Sequence, residues 1–186
     1  MAKVELNPVM EKMSGKIGDL IFKRYQDEVV VSRKANRANL VPTPAQVAHN
    51  ERFRQATVYA KASLADPVAR AIYEAAAKEK GKPVFALAVG DYLNAPSVDF
   101  VDLAGYSGKV GEKIVIRASD DIGVVSVNVS IRSGRGVVEQ GPATFEQGSW
   151  RYTTQAVVDL TAGSIAIDVT AFDRPGNRNM KTEVKG

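Results

Sequence analysis

The chain has 186 residues, with 25 Lys and Arg against 21 Asp and Glu, one His and no Cys. The absence of cysteine excludes disulfide scaffolds, thiolate zinc sites, iron–sulfur clusters and cysteine nucleophiles, and a lone imidazole, His49, excludes a His-rich metal centre. The net charge of +4 is uneven, because residues 1–94 hold 15 basic and 10 acidic side chains while residues 95–186 hold 10 and 11. So mild an excess permits nucleic acid without indicating it.

No run reaches the roughly 18 apolar residues that span a bilayer. MAKVELNPVMEKMSGK at the N-terminus lacks an apolar stretch of about 7–15 residues, so no Sec-type leader is expected in it. The chain reads as cytoplasmic when made, with a particle-associated place, or a surface one reached by another export route, left open.

In chain order, Gly15 to Tyr25 and Val29 to Lys34 are rich in strand-forming residues around the polar Gln26-Asp27-Glu28, which predicts a β-hairpin. Thr43-Pro44 then sets an N-cap hydroxyl before a proline suited to the first helical position. The run that follows places Phe53, Ala56, Ala60 and Leu64 on one helical face. Asp66-Pro67 opens a second helix that Gly81 ends, and Pro83 opens a third that runs to Asn94. Residues 43–94 are therefore expected to form a small three-helix unit with short turns.

At Ala95-Pro96 the apolar period changes from about 3.6 to 2. Seven strands are predicted beyond it: Val98–Leu103, Lys113–Ala118, Val124–Ile131, Val137–Gln140, Trp150–Val157, Ile165–Phe172 and Asn179–Val184. Such strand density is that of an immunoglobulin-like sandwich. The expected architecture is an α+β N-terminal module (β-hairpin plus three short helices, residues 1–94) followed by an all-β immunoglobulin-like sandwich (residues 95–186), with the boundary at Asn94–Pro96.

Two resemblances accompany this reading. ASDDIGVVSVNVSI (Ala118 to Ile131) and TAFDRPGNRN (Thr170 to Asn179) are similar to the paired turns of bacterial immunoglobulin-like modules of adhesins and surface proteins, which implies the sandwich fold. Ser14-Gly15-Lys16 with Gly18, Arg33, Thr43-Pro44-Ala45-Gln46, and Arg52-Phe53 followed by Ala56 resemble an uncharacterised domain found largely in Bacteroidota. That second resemblance implies architecture and carries no chemistry.

Candidate chemistry is sparse. Asp120 and Asp121 after the second predicted strand, with Asp173 and Asn177 after the sixth, lie in loops at one end of such a sandwich, where four oxygen side chains suit Ca²⁺; equally, Asx residues favour turns. Lys23, Arg24, Arg33, Lys34 and Arg37 flank the hairpin, either as a nucleic-acid ribbon or as a solvated or ion-paired face. Ser107 to Lys113 (SGKVGEK) lacks the G-x-x-x-x-G-K-[ST] form and precedes a strand, so it is not read as a phosphate loop. Trp150 and Tyr152 share one face of a strand, as core residues if that face is inward and as interface anchors if it is outward.

The functional expectation is a non-enzymatic structural protein, a component of a filament, surface layer or particle. The N-terminal strand carrying Val4, Leu6 and Val9 would add to a neighbour's sheet, with head-to-tail contacts making the assembly. The alternatives are a nucleic-acid-binding accessory protein using the basic hairpin and an adhesin-like binding module. No cofactor is expected.

Overall fold

The computed structural model describes residues 2–4, 14–25, 28–35, 41–134, 136–160 and 163–186. The chain divides into two compact units, Met1–Ala45 and Gln46–Gly186.

The first unit holds one antiparallel sheet in the order β1-β4-β3-β2, with β1 Ala2–Val4, β2 Gly15–Ile17, β3 Leu20–Tyr25 and β4 Glu28–Arg33. The predicted hairpin is its centre. Cross-strand partners share a face, so Ile17, Leu20 and Arg33 line up on one side with Phe22, Val31, Val29 and Arg24. The other side carries Lys16, Ile21 and Ser32 in one row and Lys23 and Val30 in the next. The N-terminal strand, expected to add to a neighbour's sheet, has a partner within its own chain. Ala2–Val4 pairs with Val31, Val30 and Val29 of its own chain, because the outer edge of β4 offers a row of backbone groups that another strand satisfies. Leu6 and Val9 lie outside the described residues.

Three helices follow: α1 Pro44–Ala65, α2 Pro67–Lys80 and α3 Val84–Leu93. For α2 the capping signals act as the sequence suggests, while Pro83 stands at the N-cap of α3 without a side-chain cap bond. The Asp66 carboxylate accepts from Val68 N at 3.0 Å, Pro67 occupies the first turn, and Gly81 closes α2 in the left-handed region at φ 62°. Ala56 and Ala60, one turn apart and both buried, join Tyr73, Leu87, Ala88 and Val89 in the helical core. Phe53 is on the same stripe one turn earlier, yet 48% exposed, so the stripe extends beyond the packed part of α1.

The rest of the second unit is a β-sandwich. One sheet has the order β5-β6-β10-β9 and the other β12-β11-β7-β8. The strands are β5 Ser97–Asp102, β6 Lys113–Ser119, β7 Ser126–Ser133, β8 Gly136–Pro142, β9 Thr144–Glu146, β10 Ser149–Thr153, β11 Ile165–Phe172 and β12 Arg178–Lys185. The alternation predicted its core: Ile114 and Ile116, then Val127, Val129 and Ile131, then Ile165, Ile167, Val169 and Ala171 all point inward. Each large member contributes about 1.5–3 kcal/mol by leaving water. Beyond shifts of one or two residues at strand ends, two details differ from the expected strands. A short β9 is added, and β10 stops at Thr153 instead of Val157. Thr154 leaves the ladder because its hydroxyl accepts from Glu112 N at 3.0 Å and donates to Lys109 O at 2.7 Å, tying the β5–β6 loop down.

Among the described residues, no helix is long and apolar enough to cross a membrane.

Gly108 carries the tightest approach in the sandwich. At φ +90°, a Cβ there would lie 2.2 Å from the Val158 carbonyl oxygen, whose amide donates back to Gly108 O at 2.8 Å. Gly108→Ala is expected to lower stability by roughly 2–4 kcal/mol, read from the urea midpoint at unchanged m-value. An unaltered midpoint would refute this close contact.

Candidate functional site

The helices meet the sandwich at the C-terminal end of α3. A helix leaves its last four carbonyls without intrahelical donors, and here those of Asp91, Tyr92, Leu93 and Asn94 find side-chain donors from elsewhere in the chain. Asn94 N closes the last helical bond, on Gly90 O at 2.9 Å, and Leu93 O accepts from Arg52 Nη2 of α1 at 2.7 Å. Asp91 O and Tyr92 O both accept from Asn177 Nδ2 in the β11–β12 turn, at 3.2 Å each. The same amide nitrogen serves Asn94 O at 3.0 Å and Asp173 Oδ2 at 2.7 Å. Around this clip, Asn94 Nδ2 donates to Asp121 Oδ2 at 2.5 Å and Lys80 Nζ donates to Asp121 O. Ile122 packs into the helical core. The switch of period at Ala95-Pro96 is thus spanned by bonds in both directions.

Four carboxylates gather there. Asp120 Oδ2 accepts from Ile122 N and Gly123 N, both at 3.0 Å, while Asp173 Oδ1 accepts from Asn177 N at 2.6 Å. These are Asx-turn bonds. Burial raises the Asp173 carboxyl above its ordinary range, and the Asp120 charge adds to this. Asp91 comes from α3 and is fully buried. Its Oδ2 accepts from the Tyr73 hydroxyl at 2.5 Å, and Tyr73 in turn meets Tyr59 at 3.1 Å between hydroxyl oxygens. Burial pushes Asp91 up to about 6, with the charges of Asp120 and Asp173 acting in the same direction and the Tyr73 bond and Arg174 opposing. Burial and Asp91 hold the Tyr73 phenol far above its usual value, so it remains a donor. Asp91 Oδ1 and Asp120 Oδ1 are both buried and have no hydrogen-bond partner.

Beside the joint, Arg52, Asn94, Ser97, Ser119, Asp120 and Asp121 line an open cleft of about 690 Å³. Leu93 and Ala95 complete its lining, which mixes apolar side chains with charged and polar ones.

Of the residues singled out in the sequence, Asp120, Asp121, Asp173 and Asn177 do come together, but as turn and clip residues. Among the described residues, no three His, Asp or Glu side chains are grouped as a metal ion requires. The basic set does not come together. Strand alternation puts Lys23 on one face of the N-terminal sheet and Arg24 and Arg33 on the other, Lys34 follows β4, and Arg37 lies outside the described residues. Trp150 and Tyr152 face inward opposite Ile116 and Ile114 and are 9% and 2% exposed, so they are core residues and not interface anchors. The Ser107–Lys113 loop is filled by its own side chain. The Glu112 carboxylate accepts from Ser107 N at 2.6 Å, Lys109 N at 3.0 Å and Ser107 Oγ at 2.5 Å, and these bonds hold it at about 2. His49 is exposed on α1.

Sequence reasoning missed Asp91, Tyr73 and Arg52. The available signal was small: Asp91 is the lone charge in VFALAVGDYL, where an apolar helix has no other reason to hold one.

No protein-family model matches the chain, and no curated protein matches it.

Asn177→Ala removes the donor from three carbonyls and from Asp173, and is expected to lower stability by about 1–3 kcal/mol. Asn177→Asp, which sets a carboxylate against the same four oxygens, is expected to cost more. Urea unfolding of the two variants checks both the loss and its order, and an Asp variant more stable than the Ala variant would contradict the clip.

Proposed function

We propose that the protein is a non-enzymatic structural subunit that self-assembles through its N-terminal sheet and carries an immunoglobulin-like sandwich. The observation that carries this reading is the apolar face of that sheet. Val29 on it is buried and Phe22 and Val31 are half-buried, yet the stripe continues into Ile17 and Leu20 at 59% and 42% exposure. A unit of 45 residues is close to the lower limit for burying a core alone. Exposed apolar side chains on such a unit, bordered on the same face by Arg24 and Arg33, favour a further chain as their cover.

The order of the sandwich strands supports the immunoglobulin-like reading. With β5 to β12 taken as A, B, C, C′, D, E, F and G, the sheets read A-B-E-D and G-F-C-C′. The pairing of β1 with β4 also supports assembly by strand addition. A second copy's Ala2–Val4 makes the same register with Val29–Val31, so addition between chains is an exchange of this pairing. The separation of the basic residues onto two faces gives a nucleic-acid ribbon no comparable support.

The test is the solution mass. Wild-type protein is expected to sediment as multimers of the 20.0 kDa chain. Ile17→Lys with Leu20→Lys, and separately deletion of residues 1–12, are expected to return it to monomer with the near-ultraviolet circular dichroism of the sandwich retained. A wild-type monomer across a wide concentration range would overturn the reading.

A further inference from the structure

We propose that the joint between the helices and the sandwich is proton-locked: one proton taken up by Asp91 fastens α3 to the sandwich turns, and its loss loosens them. This stands independently of self-assembly, since it concerns the second unit alone.

The geometry carries the proposal. Asp91 is fully buried and has one oxygen bonded to Tyr73 and the other bonded to nothing. Asp120 has the same pattern, with Oδ2 engaged by two backbone amides and Oδ1 buried without a partner. An ionised Asp91, buried with an orphan acceptor and under the charge of Asp120, is unfavourable. A single proton on Asp91 removes that charge from the buried site.

The groups acting on Asp91 come from every element packed against it. Tyr73 is on α2 and reaches Tyr59 on α1; Asp120 is in the loop after β6; Asp173 and Arg174 are in the β11–β12 turn. The anions there outnumber the cation. Arg52 and Lys80 are occupied at the rim, on Leu93 O and Asp121 O. A proton therefore has little competition for the interior of the joint.

The sign follows from linkage. In the closed joint Asp91 titrates at about 6, and in the open joint it returns to the ordinary carboxylate range. The closed form then binds more protons than the open one between those values, so closure strengthens as pH falls through about 6 and gains nothing above it.

Hydrogen exchange of the α3 amides reads this directly, with opening constants corrected for the pH dependence of intrinsic exchange. The opening constant of the wild-type chain is expected to be about tenfold lower near pH 5 than near pH 7.5. Asp91→Asn, a neutral isostere, is expected to exchange slowly at both values. Asp120→Asn, which removes the neighbouring charge, is expected to move the wild-type midpoint to lower pH and serves where the first variant does not fold. A flat wild-type profile, a pH dependence that survives Asp91→Asn, or an unmoved midpoint in Asp120→Asn would overturn the proposal. So would slowing of exchange near pH 7.5 by excess Ca²⁺, which would assign the orphan oxygens to a cation instead.

Discussion

One side-chain amide ties the end of α3 to the sandwich. Asn177 Nδ2 has two hydrogens and four acceptors, and three of those are backbone carbonyls where α3 ends. A helix normally ends by closing on itself, through a left-handed glycine or a cation in its last turn. α2 does the former with Gly81, whereas α3 does neither: it ends at Asn94 in an extended conformation and has no basic residue in its last turn. Its terminal carbonyls depend on Arg52 from α1 and Asn177 from the sandwich. The end of α3 is therefore a tertiary feature, formed only when the other layers are in place.

That dependence explains which parts of the molecule can be read along the chain. Asp66-Pro67 and Gly81 act on groups within four residues, so the limits of α2 are legible. The period-2 runs in β6, β7 and β11 are legible because a buried face leaves its mark on every second residue. By contrast, β9 has three residues and no pattern to show, and the end of β10 is set by Thr154 bonding Glu112, 42 residues away. The joint divides along the same line. Asp120, Asp173 and Asn177 are visible as turn residues, since Asx chemistry is local. Asp91 is visible only as an odd charge in an apolar helix, because its partners come from α2 and from turns on the far side of the sandwich sequence.

The glycine-containing Ser107–Lys113 loop shows anion chemistry of a related kind. Backbone amides of Ser107 and Lys109 converge on one carboxylate oxygen, which is the arrangement that binds phosphate in other loops. Here Glu112 supplies the anion from within, so the loop is closed on itself and not open to a ligand. The β5 and β12 edges show comparable self-closure. Lys181 and Lys185 reach from β12 to the Asp99 and Leu103 carbonyls at 3.3 and 2.6 Å, where inward-leaning lysines discourage a foreign strand. In the N-terminal sheet the exposed Ile17 and Leu20 share their face with Arg24 and Arg33, so cations flank the apolar stripe there as well.

A joint made of carboxylates is weaker than one made of leucines. Replacing buried polar groups by apolar ones of the same shape is often neutral or stabilising, and an ionised Asp91 with an orphan oxygen is a clear cost to the folded chain. What polar contacts provide is direction. Apolar packing of Ile122 into the helical core permits many small rotations of the helices against the sandwich. The Asn177 clip with the Asp91–Tyr73–Tyr59 chain admits only the orientation in which donors and acceptors meet. Orientation and strength are then set by different residues: the apolar contacts hold the layers together at any pH, and the carboxylates determine how firmly one arrangement is preferred over its neighbours.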